Sequence, residues 1–465
     1  MKARSAVPVL AGGYAAAIAL APNPSVAWVL AAPLAAVPFA YWATLQRDRW
    51  LTLFFAAALL LPPLPLGLGN SGPHPSLVFA ILGLAGGVLS FSTWRVRDAP
   101  LNRALGIFLL ILLGSAAEAM LYSGAAIGLG SLMRVVLFGI CVYVFFYAAY
   151  GPGTREPQDL FAQARTLYWI AAASALFACI DFYFQFPTPA GFGAQFIWLQ
   201  SGVYRRAQGL FYEASTLGNF CAFFLTMIAA ALLAPRGQSP VSRRALLLGG
   251  PIFAAALVLS YSRGSLLNAL VAVAVLIYCN RNRIRLAKLF LALTGAALVC
   301  GIALRALLPS FAGAYWMRIS TSVEYLFSET EGLLSGRVAS WRAVLGFLAE
   351  HPWHALFGVG YKTLPYSDYL GRTVITDNMY LSLLAETGIV GLGAMGWLSV
   401  QILRSARRAS RSPDPQRRFF GSWMFAFWAG EMVQMFTGDL LTYWRVLPVY
   451  FWVLAVAVRH EHSVS

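Results

Sequence analysis

Long apolar runs separated by short polar connections alternate along almost the whole chain. Each run approaches the roughly 20 residues that an α-helix needs to cross the hydrocarbon core of a bilayer. Because backbone polar groups in lipid must be paired within their own segment, these runs predict helices. A closed β-barrel is excluded, since no stretch alternates regularly between apolar and polar positions. The runs lie at 7–22, 25–43, 50–67, 76–93, 104–122, 130–150, 165–185, 212–234, 245–261, 264–280, 287–307, 376–403, 419–437 and 445–459.

The pattern predicts an all-α, polytopic transmembrane helical bundle of about 14 spans, forming one integral membrane domain over residues 1–465. Basic residues concentrate in alternate connections, most densely at 404–418, so both termini are expected in the cytoplasm. The periplasmic side then has a loop at 186–211 and a large loop at 308–375, between spans 11 and 12. The large loop is too aromatic for a disordered segment, and short helices are expected in it.

Composition agrees with this interpretation. Hydrophobic residues make up 59% of the 465 residues and charged residues only 11%, against roughly a quarter in soluble proteins. The net charge of +16 is explained by the basic connections on the cytoplasmic side, so membrane lipids and not nucleic acid are the expected partners. The five cysteines lie in or beside apolar runs without a CxxC pair, so they predict neither disulfides nor a metal site.

The arginines that violate this charge bias are the informative ones. Arg205 and Arg206 precede span eight, Arg263 lies between spans nine and ten, and Arg337 and Arg342 lie in the large loop. Charge at a membrane interface is costly and points to function. Guanidinium groups bind phosphate through paired hydrogen bonds, and several together would stabilise a diphosphate leaving group. The structural alternative is snorkelling to lipid headgroups.

Acidic residues on the same side are candidate general bases for transfer to an acceptor hydroxyl. Asp377, followed by Asn378, is best placed, where the large loop re-enters the membrane, although it is also well suited to cap span twelve. Glu213 is the reserve candidate. Glu386 is expected to face the bundle and to pair with an arginine. The histidines of this side have no convincing metal-ligand spacing, so no metal or other cofactor is predicted.

The region 336–391, with two earlier pieces, resembles the superfamily of O-antigen ligases and O-antigen polymerases. These are polytopic bacterial membrane glycosyltransferases. No single piece is decisive, but their order and their common outer location make the resemblance fairly specific. The pieces are Gly336-Arg337 with Trp341, Glu350-His351-Pro352, Phe357-Gly358-Val359-Gly360-Tyr361, the stretch from Asp377 to Gly388, the stretch from Arg206 to Glu213, and Ser262-Arg263-Gly264-Ser265.

The resemblance implies transfer of a glycan from an undecaprenyl-diphosphate-linked oligosaccharide donor at the periplasmic face of the inner membrane. It implies a glycan or lipid A core acceptor, no metal and no nucleotide sugar. It assigns the diphosphate to Arg206 and Arg263, with Arg337 in support. A chain-length regulator protein is a further candidate partner.

One departure from the family pattern bears on the reaction. Ligases usually have a histidine before the asparagine of the last motif, whereas this chain has Asp377. The difference favours polymerisation of O-antigen or exopolysaccharide repeat units over ligation to lipid A core or protein, which stays the alternative. Two other readings are a peptidoglycan polymerase of the shape and division type and a lipid-linked oligosaccharide flippase or transporter. Transporters place charges near the bilayer midplane, whereas the unusual charges here crowd the outer interface.

Overall fold

The computed structural model describes residues 38–43, 47–64, 72–151, 160–187, 193–199, 202–235, 237–281 and 337–459, with single residues and short pieces elsewhere. The described chain is mainly helical, as predicted. Its helices are α1 (Arg47–Leu60), α2 (Ser76–Leu89), α3 (Pro100–Ser123), α4 (Ala125–Tyr150), α5 (Leu160–Phe184), α6 (Ala214–Leu233), α7 (Arg243–Leu259), α8 (Arg263–Cys279), α9 (Arg337–Glu350), α10 (Pro352–Phe357), α11 (Met379–Ser410), α12 (Pro415–Gln434) and α13 (Leu447–Arg459).

Eleven of the predicted spans coincide with helices whose ends are displaced by at most seven residues. Five of these helices, α3, α4, α5, α6 and α11, are long and apolar enough to cross a membrane. The predicted spans at 7–22, 25–43 and 287–307 lie largely outside the described residues. The total span count and the side of each terminus therefore stay predictions.

Helix α13 lies at the centre of the bundle, because every one of its residues is buried. It contacts α4, α11 and α12, and α12 in turn packs against α8 and α11. Helix α6 packs against α7 and α8, so the two ends of the α7–α8 turn are held beside α6. One large apolar core connects these helices.

Polar contacts show which helix ends lie together. Asn102 at the start of α3 donates to Tyr150 at the end of α4 (2.8 Å). Arg165 of α5 donates to the carbonyl of Pro240, which precedes α7 (2.9 Å), and Arg418 of α12 donates to Gln238 (2.7 Å). These residues lie in or beside the arginine-rich connections predicted to be cytoplasmic. We call this the arginine-rich end of the bundle.

The two predicted loops contain secondary structure in their described parts. Helices α9 and α10 lie within 308–375, and α9 packs through Val344 and Leu348 onto the chain that leads into α11. The 186–211 segment contains an antiparallel hairpin of β1 (Phe196–Leu199) and β2 (Gly202–Arg205), which the sequence did not predict. Both features lie at the end of the bundle opposite to the arginine-rich end.

Helix α11 is broken at Gly388, whose φ of +66° is in the left-handed region. The break frees carbonyl groups that the chain after α10 and Ser115 of α3 satisfy. Gly360 and Ser115 both donate to the carbonyl of Glu386 (3.0 and 2.8 Å). A Cβ on Gly358 would lie 2.3 Å from that same carbonyl oxygen, so only glycine allows the approach. The Phe357–Tyr361 motif therefore packs closely against the broken part of α11.

Candidate active site

Arg206 follows the hairpin and is fixed through its backbone and its side chain. Its amide donates to the carbonyl of Gln195 and its Nε donates to the carbonyl of Ser260, both at 2.8 Å. Burial lowers the pKa of Arg206, but a guanidinium does not lose its proton under physiological conditions. Glu213 and Asp377 lie close enough to favour its charge, and Arg337 close enough to oppose it.

Arg263 is the first residue of α8. Ser262 caps this helix, since its Oγ accepts a hydrogen bond from the Ser265 amide (3.4 Å). Gly264 lets the first turn approach α12 closely: a Cβ there would lie 2.3 Å from the Oγ1 of Thr437. The cap and the close packing hold the guanidinium of Arg263 within electrostatic reach of Arg337.

Arg337 begins α9 and forms an ion pair with Asp377, with 3.1 Å between Nε and Oδ2. Trp341, one turn later, donates from Nε1 to the carbonyl of Thr376 (2.8 Å) and keeps α9 beside the start of α11. The Asp377 side chain is 50% exposed, so it can reach a substrate. The alternative role of Asp377 as helix cap is wrong, because Asn378 is the cap: its Oδ1 accepts from the Leu381 amide (3.1 Å).

Glu213 occupies the N-cap position of α6 but its side chain does not cap the helix. Its Oε2 instead accepts a hydrogen bond from the Ser215 hydroxyl (3.0 Å). Burial raises the pKa of Glu213, and the nearby carboxylates of Asp377 and Asp439 act in the same direction. Glu213 therefore holds a proton more firmly than an exposed glutamate would.

A second charged group adjoins this cluster. Lys362 is buried and forms an ion pair with Asp439, and both lie within electrostatic reach of Glu213. The buried Glu386 accepts from the amide of Leu364 (3.4 Å), and its neighbouring cation is Lys362. The prediction that Glu386 pairs with an arginine is therefore wrong. The sequence signal for Lys362 was its place directly after the Phe357–Tyr361 motif.

Strained backbone is concentrated at this end of the bundle. Within the described residues, four non-glycine residues have positive φ, and three of them are Tyr261, Lys362 and Asp377. Tyr261 leads into the Ser262 cap, and the other two carry charged groups of the cluster. Such conformations cost roughly 1–3 kcal/mol each and persist where the surrounding structure requires them, often at functional sites.

Other candidate residues lie in different surroundings. Arg205 pairs with Asp181 of α5 at 3.3 Å, and Arg342 is exposed on α9. Arg445, a further basic residue of this side, is buried and donates to the carbonyls of Ala58 (2.8 Å) and Leu61 (2.9 Å), so it satisfies the end of α1. Among the described residues no group of three potential metal ligands is found.

The structure thus gathers Arg206, Arg263, Arg337, Asp377 and Glu213 at one end of an apolar helical bundle. Three cations and two carboxyl groups in partial burial can bind an anionic group and move a proton beside it. Fold and site together define a multi-pass membrane protein with a cationic, acid-containing site at one end.

Part of this site lies in a region of the chain that matches a known protein family. Residues 248–396 match the family model described as O-antigen ligase. The matched region contains α8 with Arg263, α9 with Arg337, and Asp377 with the first half of α11 that follows it. The resemblance to the O-antigen ligase and polymerase superfamily is confirmed, and glycan transfer of that general type is supported. A comparison with curated proteins found no match.

Proposed function

We propose that the protein polymerises repeat units of O-antigen or exopolysaccharide at the periplasmic face of the bacterial inner membrane. The donor is a glycan linked to undecaprenyl diphosphate. The family match supports transfer of a lipid-linked glycan to an acceptor. The observation that carries the proposal is the convergence of Arg206 and Arg263 on the Arg337–Asp377 ion pair.

The arginines favour a diphosphate as the bound group. Arg337 interacts repulsively with both Arg206 and Arg263, and within the described residues Glu213 and Asp377 are carboxyl groups that favour the charge of Arg206. An anionic ligand with several oxygens would relieve the repulsion and accept hydrogen bonds from more than one guanidinium. A diphosphate has that charge and that geometry. The same groups would stabilise the charge that develops as the diphosphate leaves.

The proposed reaction is a substitution at the anomeric carbon of the donor, with either inversion or retention of the configuration at that carbon. Asp377 takes the proton of an acceptor hydroxyl, and the acceptor oxygen bonds to the anomeric carbon. The bond from that carbon to the diphosphate oxygen breaks, and undecaprenyl diphosphate leaves with the electron pair. Arg337 orients the Asp377 carboxylate through the 3.1 Å ion pair. Glu213, less exposed and with a raised pKa, is the second candidate base.

The residue at position 377 favours a polymerase over a ligase. Ligases of the resembled family usually have histidine at that place, and this chain has aspartate. The family description itself, O-antigen ligase, keeps a second function open: transfer of finished glycan to lipid A core or protein. The two reactions share a donor and differ in the acceptor.

The test is the glycan profile of a deletion strain on a gel that separates chain lengths. Complementation uses wild type, Asp377→Ala and Arg263→Ala. For a polymerase, the deletion strain loses long chains and keeps single repeat units attached to their carrier. For a ligase, it loses all glycan-bearing lipid A core, and polymer accumulates on undecaprenyl diphosphate.

Arg372→Ala is the matched control for Arg263→Ala, because Arg372 is exposed in the chain leading to α11. We expect the control to restore a normal profile and both site variants to fail, at equal membrane abundance. Normal long-chain glycan from Arg263→Ala would contradict the proposed diphosphate site. Normal glycan from Asp377→Ala together with loss from Glu213→Gln would move the base to Glu213.

A further inference from the structure

Directly beneath the candidate site, three helices meet at four polar side chains that the sequence did not single out. Asn219 of α6, Asn268 of α8, and Glu431 and Gln434 of α12 are each at most 2% exposed. We call these four residues the amide–carboxyl cluster. Polar groups in the interior of an apolar bundle are costly unless they bond to each other, so their presence requires an explanation.

The cluster is densely bonded. Both asparagine Nδ2 groups donate to the carboxyl Oε2 of Glu431, from Asn268 at 2.7 Å, and both donate to the Oε1 of Gln434, at 3.0 and 3.1 Å. Tyr450 of α13 donates to the Oδ1 of Asn219 (2.6 Å). These bonds tie α6, α8, α12 and α13 together at one level.

The cluster continues to the start of α8. Gln434 donates from Nε2 to the Oγ of Ser265 (3.0 Å), and Ser265 Oγ lies 2.8 Å from the Oγ of Ser262. Ser262 is the cap that precedes Arg263. Ser265 also donates to the carbonyl of Ser215 (3.4 Å), whose own hydroxyl donates to Glu213. A short chain of hydrogen bonds therefore connects Gln434 to both sides of the candidate site.

Glycines allow the helices to approach closely enough for these bonds. A Cβ on Gly430 would lie 2.3 Å from Asn268 Oδ1, and one on Gly218 would lie 2.8 Å from Ser265 Oγ. Both contacts are tighter than any side chain permits. The distances between α6, α8 and α12 at this level therefore depend on these two glycines and on the hydrogen bonds of the amide–carboxyl cluster.

We propose that the amide–carboxyl cluster is a positioning device that holds Arg263 at a fixed place relative to Glu213 and Arg206. The proposal rests on the proposed function, in which Arg263 binds the donor diphosphate. Gln434 acts through Ser265 and the Ser262 cap, and Glu431 acts by accepting from both asparagines. In this arrangement Glu431 serves as a hydrogen-bond acceptor, so its glutamine isostere keeps the device intact and an apolar residue does not.

Two measurements on full-length protein in lipid nanodiscs test the device. The first is hydrogen–deuterium exchange of the peptide spanning the start of α8, which needs no ligand. The second is the dissociation constant of undecaprenyl diphosphate. The variants are Gln434→Leu, Glu431→Leu and Glu431→Gln, with Gln401→Leu as the control. Gln401 is buried in the far half of α11 and offers the same substitution away from the cluster.

We expect faster exchange at the start of α8 and about tenfold weaker undecaprenyl diphosphate binding in Gln434→Leu and Glu431→Leu. Glu431→Gln and Gln401→Leu should behave as wild type. A double-mutant cycle adds a readout that a general loss of stability would not give. In an Arg263→Ala background, Gln434→Leu should weaken binding little further, because its effect passes through Arg263. If Gln434→Leu does not accumulate, Gln434→Met replaces it.

The outcomes separate this inference from the proposed function. If wild type does not bind undecaprenyl diphosphate but exchange still rises in Gln434→Leu, the positioning device stands and the proposed donor fails. Unchanged exchange and unchanged binding in Gln434→Leu overturn the positioning device. Full additivity of Gln434→Leu and Arg263→Ala overturns it as well. A loss of binding in Glu431→Gln equal to that in Glu431→Leu would show that the carboxyl proton or charge matters, contrary to the proposal.

Discussion

Asp377 has a left-handed backbone, with φ of +45°, although it is not a glycine. Aspartate tolerates this region better than most residues, because its short side chain can bond locally. The sequence suggested two roles for Asp377, helix cap and general base, and this conformation divides them between two residues. Asn378 caps α11, and the Asp377 carboxylate is turned toward Arg337. Neighbouring bonds, such as that from the Met379 amide to the Met435 carbonyl (2.9 Å), hold the strained turn in place.

Asp377→Asn should keep the fold and lose the reaction. Asparagine accepts the left-handed conformation at similar cost, so membrane abundance should not change. The amide cannot take a proton, so we expect transfer to fall about 100-fold or more, measured with purified protein and lipid-linked donor. Asp368→Asn, in the exposed part of the same segment, is the control and should retain activity. Equal activity in both variants would remove Asp377 from the mechanism.

Glu213 predicts a pH dependence of stability. Burial raises its pKa, so the folded protein favours the neutral carboxyl group. The stability it contributes is complete below the unfolded pKa and is lost as pH rises through the higher folded pKa. Glu213→Gln stays neutral throughout. The Tm of Glu213→Gln should therefore rise relative to that of wild type as pH increases from below the unfolded pKa through the raised folded pKa. A Tm difference that is constant with pH would contradict the buried-carboxyl account.

At this scale, charge on the wrong side of the membrane was the useful sequence signal. It selected Arg206, Arg263 and Arg337, which the structure brings together, but it equally selected Arg205 and Arg342, which lie in other surroundings. The sequence could not select between cap and base for Asp377, since both depend on a backbone angle. It also missed the pairing of Lys362 with Asp439, because the partners are 77 residues apart and meet only when the chain after α10 packs against the chain after α12.

At the scale of elements, the break in α11 provides the surface on which the chain before Lys362 packs. Helix α11 follows its cap Asn378 and packs against α12, and its remainder continues through the bundle after Gly388. The Phe357–Tyr361 segment satisfies the carbonyls that the break exposes and places Lys362 beside Asp439. Apolar periodicity predicted one continuous span here, since a single left-handed glycine does not alter the pattern of apolar residues.

Gly388→Ala should disrupt this break. At φ of +66° any side chain is strained, and a Cβ would lie 2.0 Å from the carbonyl oxygen of Leu356. We expect a loss of about 2 kcal/mol or more in the free energy of unfolding, seen as a lower Tm and lower abundance. Gly396→Ala in the same helix is the control, because nothing lies within 4 Å of its added Cβ. A similar Tm for both variants would mean that the break is not required.

Helix positions were well predicted because apolar runs of about 20 residues have few other structures available in lipid. The hairpin at 196–205 was not, since its two strands have only four residues each. Strands that short resemble loop sequence, and the chain beside them is held by contacts with residues distant in sequence. The Ala207 amide, two residues after β2, donates to the carbonyl of Leu259 at the end of α7 (2.9 Å). That contact is long-range and leaves no local pattern.

At the scale of the whole molecule, the bundle has two chemically different ends. The arginine-rich end brings together the starts of α3, α5, α7 and α12 and matches the composition of cytoplasmic connections. The other end has fewer basic residues, and those of the site are engaged with carboxylates, backbone carbonyls or each other. This division predicts that the site faces the periplasm, where a translocated lipid-linked glycan is available.

Cysteine accessibility tests that orientation directly. The five native cysteines are first replaced, since Cys279 is exposed. Asp368→Cys then marks the site end, and Asp98→Cys, whose native side chain is 71% exposed, marks the arginine-rich end. In intact spheroplasts a membrane-impermeant maleimide should label position 368, and it should label position 98 only after lysis. The opposite result would place the arginine cluster in the cytoplasm, where it would meet the donor before translocation. Polymerisation at the periplasmic face would then be untenable, even if the family and the chemistry of the site were unchanged.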